Sequence, residues 1–462
     1  MAFFGSFFDL FIKKHEEEKT LIGKGFDLED KKREKLIDIY QIDDNSKNHT
    51  FTFGSTGVGK TRLIEGLIEQ DIPKGKNIVI IDPKGDIGLF SKMVEIAKKC
   101  GREQELMFLS PIYPEYSIKI NPLANYYMEE EVIAHIVSGV PAKDEFFYNV
   151  ANETTTAVVK ALFVIRRYEN DNSTLNFEEI AEKVYYGGLI ELRDKLEEIQ
   201  KNGYEDSELK GLLSLYERVL SSPQDYFAKV SSTLRTTLTQ MTMGNVGKII
   251  GMAQKNTFID KLQNDEGVLL YIMTGSMLTR QVSSIISKVT ISMIQSCVGR
   301  IYASGKKFKN TLKIYIDEAA SSVYRGIETL YAQARGAGVA IMGLTQSAAD
   351  LAAEIGQDGA NRLLELTNTK IIMRLNDTKS SKMISDLGGK RRAFSYFLTV
   401  EGGITSREVE ELNIENDDVT TLQKREFYYF GFEGRFKGKT LRVSDGKLQV
   451  LMPNVTRKLA NV

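Results

Sequence analysis

The chain has 462 residues, too many for one ordinary hydrophobic core, so two or three substructures are expected. Hydrophobic residues make up 42% and charged residues 27%, a globular profile, and 61 basic against 62 acidic residues leave a net charge of -1. That balance excludes a globally basic nucleic-acid binder, so any such surface must be a local patch. Two cysteines, Cys100 and Cys297, and three histidines, His15, His49 and His135, exclude a disulfide framework and a zinc site and suit a reducing cytoplasm.

In chain order, Ala2 to Ile12 is apolar apart from Gly5, Ser6 and Asp9, and Lys13 and Lys14 follow it. It is too short to cross a bilayer, and no run of eighteen apolar residues exists elsewhere. Phe3, Phe4, Phe7, Phe8 and Phe11 have the spacing of one helix face. That face suits either peripheral contact with a membrane or docking on the protein's own core or a partner. Residues 13–47 read as charged and helical, so 1–47 is taken as an amphipathic, charged helical segment. The strand signals Thr50–Phe53, Ile78–Ile81 and Leu106–Leu109 place the first part of an α/β domain at 48–125. Strand and helix alternate there, the pattern of a mostly parallel sheet covered on both faces.

From 126 to 252 helical periodicity takes over, as in Val150–Ile165 and Leu209–Leu220, and Asn176 with Glu179 has capping-box spacing. This block reads as an inserted all-helical domain, separable if it buries its own core. Strand patterns resume in the second part, 253–462, at Val268–Ile272, Leu312–Ile316, Val339–Leu344 and Thr369–Arg374. Glu426–Phe430 and Thr440–Val443 read as a closing hairpin.

Gly54-Ser55-Thr56-Gly57-Val58-Gly59-Lys60-Thr61 fits the phosphate-binding loop pattern in full, between a strand and a helix. Its backbone N–H groups and the helix N-terminus suit ATP phosphates. Lys60 is placed to reach the β- and γ-phosphates, and the Thr61 hydroxyl to ligate Mg²⁺. Such a site also needs an acid at a neighbouring strand end. Apolar runs end in aspartate at both Asp82 and Asp317, but only Asp317 is followed by a glutamate, Glu318. Asp317 is therefore assigned to Mg²⁺ and Glu318 to activation of the attacking water, against the plainer reading of an acidic helix start. Gln346, within Thr345-Gln346-Ser347 after the next strand, is read as a sensor of the γ-phosphate rather than a simple strand-end cap. Arg335 and Arg374 flank strands of this sheet and are candidates for an arginine finger given to a neighbouring subunit, or for ordinary salt bridges.

Lys306-Lys307-Phe308-Lys309, Lys390-Arg391-Arg392 and the stretch Arg435 to Arg442 are candidate surfaces for sequence-independent contact with DNA phosphates. Each is equally a solvated charged face.

The phosphate loop, Asp82-Pro83-Lys84-Gly85-Asp86, Asn121-Pro122-Leu123, Asp317-Glu318-Ala319, Ala334-Arg335-Gly336 and Leu344-Thr345-Gln346 follow one another along the chain. Together they resemble the type IV secretion coupling proteins, TraD/TraG-like conjugative DNA-transfer ATPases of the FtsK/HerA group of P-loop motors. The resemblance runs from about Phe51 to Val443. It implies a RecA-like P-loop ATPase with an inserted all-alpha domain that receives relaxase–DNA, a homo-hexameric ring, and a type IV secretion channel as partner. The implied location is cytoplasmic, peripheral at the inner face of the cell membrane. Many family members carry amino-terminal transmembrane helices and this chain shows none, so residues 2–12 or a partner would provide the attachment. A soluble HerA-like DNA translocase and a nucleotide-gated docking protein are the alternatives.

Overall fold

The computed structural model describes residues 18–30, 35–141, 144–376, 378–398 and 404–455, so the phenylalanine-rich segment 2–12 lies outside the described residues. The described chain opens not with a helix but with two antiparallel strands, β1 (Lys19–Asp27) and β2 (Ile37–Ile42). This corrects the helical reading of 13–47. The sequence Ile37-Asp-Ile-Tyr-Gln-Ile alternates with period two, and Gly23 and Gly25 disfavour a helix. Both glycines are required by close approach of a neighbouring strand: a Cβ on Gly23 would lie 2.3 Å from the Lys439 carbonyl oxygen, and one on Gly25 2.1 Å from that of Lys437.

The apolar runs form the sheet. β3 (Thr50–Phe53), β4 (Asn77–Asp82), β5 (Leu106–Leu109), β6 (Leu269–Met273), β7 (Leu312–Ile316), β8 (Val339–Thr345) and β9 (Thr369–Ile372) run parallel in the order β9-β3-β8-β7-β4-β6-β5. Every residue of β4, β6, β7 and β8 is buried, as both-face coverage requires. Successive side chains go to opposite cores. Ile78 and Ile80 pack with α1 (Lys60–Asp71) and α2 (Ile87–Lys99) on one face, and Val79 and Ile81 face the larger core on the other.

Between β5 and β6 the chain is helical. α3 (Glu129–Ser138), α4 (Glu145–Glu169), α5 (Phe177–Lys183), α6 (Tyr186–Lys201), α7 (Leu209–Leu220), α8 (Gln224–Val230), α9 (Ser232–Thr242) and α10 (Thr257–Gln263) follow in order. The Asn176 side-chain oxygen accepts from the Glu179 N–H at 3.0 Å and starts α5 where the capping spacing placed it. α11 (Arg280–Ala303) then crosses the sheet face. It is long and apolar enough to cross a membrane, but 72% of its most apolar window is buried inside the protein, as in a core helix.

The helical block and the sheet face share one core. Val132 and Ile136 of α3 and Val158 of α4 belong to the same buried cluster as Ile285 and Val289 of α11. His135 Nδ1 lies 2.9 Å from the Ser292 hydroxyl, and Glu131 accepts from Ser296 and Arg300 of α11. Excising residues 126–252 would strip α11 of this cover, even though the block's ends meet at the Asn121 N–H to Lys255 carbonyl bond of 2.8 Å. The expected product is poorly soluble and melts without a cooperative transition, because a newly exposed apolar face of this size promotes association. Calorimetry of the deletion checks this; a sharp melt near that of the full chain would show the block to be an autonomous insertion.

Strands after β9 turn antiparallel. β10 (Lys390–Leu398) and β11 (Ile404–Leu412) form a separate ladder that the sequence reading did not foresee. Its register places Arg391 opposite Glu411, Arg392 opposite Glu410 and Lys390 opposite Leu412, and the Lys390 ammonium lies 3.2 Å from the Glu410 carboxylate. β12 (Glu426–Gly431) and β13 (Gly434–Thr440) extend the main sheet to β2-β1-β13-β12-β9. The second strand of this hairpin is thus 434–440 rather than Thr440–Val443. Gly431 pairs with Gly434, so Phe432 and Glu433 alone make the turn and the return strand starts at once. Along β13, Phe436, Gly438 and Thr440 are buried, while Arg435, Lys437 and Lys439 share the opposite, more exposed face.

Candidate nucleotide site

The phosphate loop leaves the carboxyl end of β3 and is braced from both sides. The Gly54 N–H donates to the Thr345 carbonyl at 3.1 Å and the Ser55 N–H to the Arg374 carbonyl at 2.8 Å. Gly57 (φ 78°) and Gly59 (φ 115°) occupy the left-handed region, which turns the loop back on itself without steric cost. α1 follows with no side-chain cap, so its first N–H groups remain available to an anion. Lys60 is buried, its Nζ 2.5 Å from the Gly54 carbonyl and 3.1 Å from that of Ser55. Burial first, then the nearby Lys84, push its ammonium below the ordinary lysine value, a cost that polyphosphate oxygens would relieve.

Asp317 and Glu318 follow β7. β8 lies between β7 and β3, so the acids and the loop stand two strands, about 10 Å, apart, and a phosphate chain can lie between them. Asp317 is buried, and burial together with the neighbouring Asp82 and Glu318 carboxylates outweighs Lys84 and raises its carboxyl above the ordinary value. Glu318 adopts a left-handed conformation (φ 49°), rare for a non-glycine residue and costing about 1–2 kcal/mol. The competing aspartate is otherwise engaged. Asp82 accepts N–H bonds from Lys84 at 2.9 Å, Gly85 at 3.0 Å and Asp86 at 2.5 Å, and the Tyr271 hydroxyl at 2.6 Å. Its oxygens are spent on shaping the turn after β4.

Gln346 is exposed at the carboxyl end of β8, next to the Thr345 that braces Gly54. Ser347 and Asp350 form a capping box that starts α12 (Ala348–Glu365) and fixes the chain direction after Gln346. Arg374, just beyond β9, is exposed at the same edge. Arg335 lies at the opposite, amino edge of the sheet, where its Nη1 donates to Asn48 Oδ1 at 2.5 Å. The structure therefore gathers Gly54 to Thr61, Asp317, Glu318, Gln346 and Arg374 at one edge and leaves Arg335 at the other. Lys306, Lys307 and Lys309 are exposed at that amino edge too, and Phe308 is buried beneath them.

Two residues were not read from the sequence. Lys84 Nζ sits 2.5 Å from Glu318 Oε1 and 3.8 Å from Asp317 Oδ2. Burial opposes its charge, but the two acids outweigh burial and hold its ammonium above the ordinary value. Its place in Asp-Pro-Lys-Gly-Asp, two residues past a strand end, was the available signal. Arg425, at the foot of β12, donates its N–H to the Val58 carbonyl at 2.9 Å, a contact with no local sequence signature.

The residues present fit Mg²⁺. Thr61 offers a hydroxyl, and Asp317 a carboxyl that burial, with the Asp82 and Glu318 carboxylates, holds above its ordinary value, a cost that a cation would relieve. Among the described residues no group of three or more His, Cys, Asp or Glu is placed to hold a metal ion by itself, so a cation would share its ligands with phosphate and water.

Comparisons with known proteins agree with this arrangement. Residues 37–254 match the family model for the central domain of the helicase HerA, and residues 311–420 the model for the TraM recognition site of TraD and TraG. The type 4 coupling protein DotL of Legionella pneumophila subsp. pneumophila is 28% identical over 92 residues, 20% of this chain and 12% of DotL's length. The bacterial conjugative coupling protein TrwBdeltaN70 superposes with a TM-score of 0.64 at 16% identity, covering 90% of this chain and 89% of its own. TrwB in complex with ADP and Mg²⁺ gives 0.62 at 16% identity, with 89% of each chain covered. VirB4 of Thermoanaerobacter pseudethanolicus gives 0.53 at 14% identity over 92% of this chain and 97% of that one. At these identities the likeness is one of fold, the RecA-like P-loop class with a mostly parallel sheet and many helices.

Proposed function

Because the chain belongs to the type IV coupling proteins, we propose that it hydrolyses ATP to deliver or pump DNA, with an attached relaxase, to a type IV secretion channel. The observation that carries the reading is the alignment, at one sheet edge, of the phosphate loop on β3, Gln346 on β8 and the Asp317–Glu318 pair on β7.

In this reading the α1 N-terminus and Lys60 hold the β- and γ-phosphates, and Thr61 and Asp317 hold Mg²⁺. The metal, when bound, neutralises phosphate charge. Glu318 accepts the proton of the attacking water, and Gln346 senses the γ-phosphate at the strand end next to the loop. Homo-hexameric assembly would let Arg374 or Arg335 serve a neighbour's site; Arg335 would have to leave Asn48 to do so. The exposed faces Arg435–Lys439 and Lys306–Lys309 supply cations for DNA phosphates. A cytoplasmic place against the inner face of the membrane, through residues 2–12, belongs to the same proposal. The match to the HerA central domain favours one second reading, a DNA translocase that acts without a relaxase.

The test is ATP turnover with and without DNA, across protein concentration. Turnover should rise with both, and Lys60→Ala should weaken ATP binding about 10- to 100-fold, as expected for losing a buried charge-assisted contact. Turnover indifferent to DNA at every concentration would instead indicate a nucleotide-gated docking protein. Retention of a cognate relaxase on immobilised protein separates delivery from relaxase-free translocation.

A further inference from the structure

The foot of the β12–β13 hairpin meets the phosphate loop. Arg425 lies in the left-handed region (φ 72°), costly for a side-chain-bearing residue, and is held there from both ends. Its N–H donates to the Val58 carbonyl at 2.9 Å, and its carbonyl accepts from the Thr440 N–H at 2.9 Å. Its stem lies on the loop, since a Cβ built on Gly59 would lie 3.4 Å from Arg425 Cγ. The guanidinium donates to the Thr440 carbonyl and feels the repulsion of the Arg442 guanidinium, and among the described residues no carboxylate pairs with either. Burial first, and then Arg442, hold the Arg425 guanidinium below its ordinary value.

Two like charges gathered beside an anion-binding loop, one on a strained backbone, are unfavourable until an anion arrives. We propose that Arg425 is a nucleotide-binding residue supplied in cis: its guanidinium contacts the phosphate chain of the nucleotide on the loop, and Arg442 adds to the field. The proposal rests on the phosphate loop binding nucleotide, and it reassigns Arg442 from the candidate DNA surface to the nucleotide site. It also gives the terminal hairpin a role, because a shift of β12 against β9 would move this cation relative to the loop.

The experiment is fluorescence titration of the full chain with mant-ATP and mant-ADP, alongside thermal melts. Arg425→Ala is expected to weaken both ligands tenfold or more, the scale of a charge-assisted hydrogen bond. Arg442→Ala should cost a few-fold, and its loss should fade as salt is raised. Arg425→Lys keeps the charge and should stay within a few-fold of the unchanged protein. Arg425→Gln keeps a donor for the Thr440 carbonyl but no charge, and should remain as weak as the alanine variant. Wild-type affinity in Arg425→Gln, or equal affinity in Arg425→Ala with an unchanged melt, overturns the proposal and leaves Arg425 a hairpin brace. A folded wild-type chain that binds neither ligand overturns the phosphate-loop reading itself.

Discussion

Glu318→Gln is expected to bind ATP as tightly as the unchanged chain and to hydrolyse it about 10²–10⁴-fold more slowly, the usual worth of a positioned general base. The amide keeps the volume and one acceptor oxygen but cannot take a proton from water. Binding should survive because Lys60, the α1 N-terminus, Thr61 and Asp317 are untouched. Glu318 also holds Lys84 at 2.5 Å, and the neutral amide loosens that ion pair without burying a new charge, since Lys84 keeps Asp317 at 3.8 Å. Single-turnover hydrolysis of labelled ATP, with mant-ATP titration alongside, separates the two steps. Hydrolysis within threefold of the unchanged rate would remove Glu318 from the base role. Asp82 is then a poor substitute, because three backbone N–H groups and Tyr271 already engage its oxygens.

The parts legible in the sequence are those whose physics is local. The phosphate loop is eight contiguous residues whose chemistry is mostly backbone, so the sequence displays it directly. Parallel strands of a covered sheet are short runs rich in apolar and β-branched residues, and the sequence bounds Thr50–Phe53, Leu106–Leu109 and Leu312–Ile316 to the residue. At 19–42 scattered lysines and aspartates suggested a charged helix, while the deciding facts were a period-two pattern and two glycines pressed against β13. Arg425 was invisible because its meaning lies in contact with Val58 and Gly59, far away along the chain. Arg335 was placed by its position after a helix and before a strand, which could not show that it faces the edge away from the loop. The shared core of α3 and α11 was hidden for the same reason: each helix alone shows an apolar face but not what covers it.

Asp71→Ala is expected to destabilise the fold by about 3–5 kcal/mol, the cost of removing one partner from a buried ion pair. Asp71 ends α1 and is fully buried between two lysines, with Lys76 Nζ at 2.6 Å and Lys313 Nζ at 3.0 Å, and it accepts the Tyr315 hydroxyl. Burial alone would raise its carboxyl; Lys313, Lys76 and Tyr315 outweigh burial and hold it below the ordinary range. A depressed folded value means that its stabilisation is complete at neutral pH and is lost only as pH falls through that value, below about 4. Asp43 extends the cluster into the amino-terminal hairpin, 2.8 Å from both Lys74 and Lys76. In Asp71→Ala, Lys76 keeps Asp43, but the buried Lys313 loses its carboxylate. Asp71→Ala with Lys313→Met should therefore recover much of the loss, which chemical denaturation of the two variants measures. A double variant no more stable than the single one would show that the cost lies in a cavity rather than in the stranded charge. Nucleotide binding is the second readout. The cluster ties the far end of α1 to β7, the strand that carries Asp317 and Glu318, while the near end of α1 begins at Lys60. Loosening that tie should let the phosphate-binding end and the acid pair drift apart. Asp71→Ala is thus expected to weaken nucleotide binding below its melting temperature, and the added Lys313→Met, which removes the stranded charge but not the missing tie, to recover stability without recovering binding.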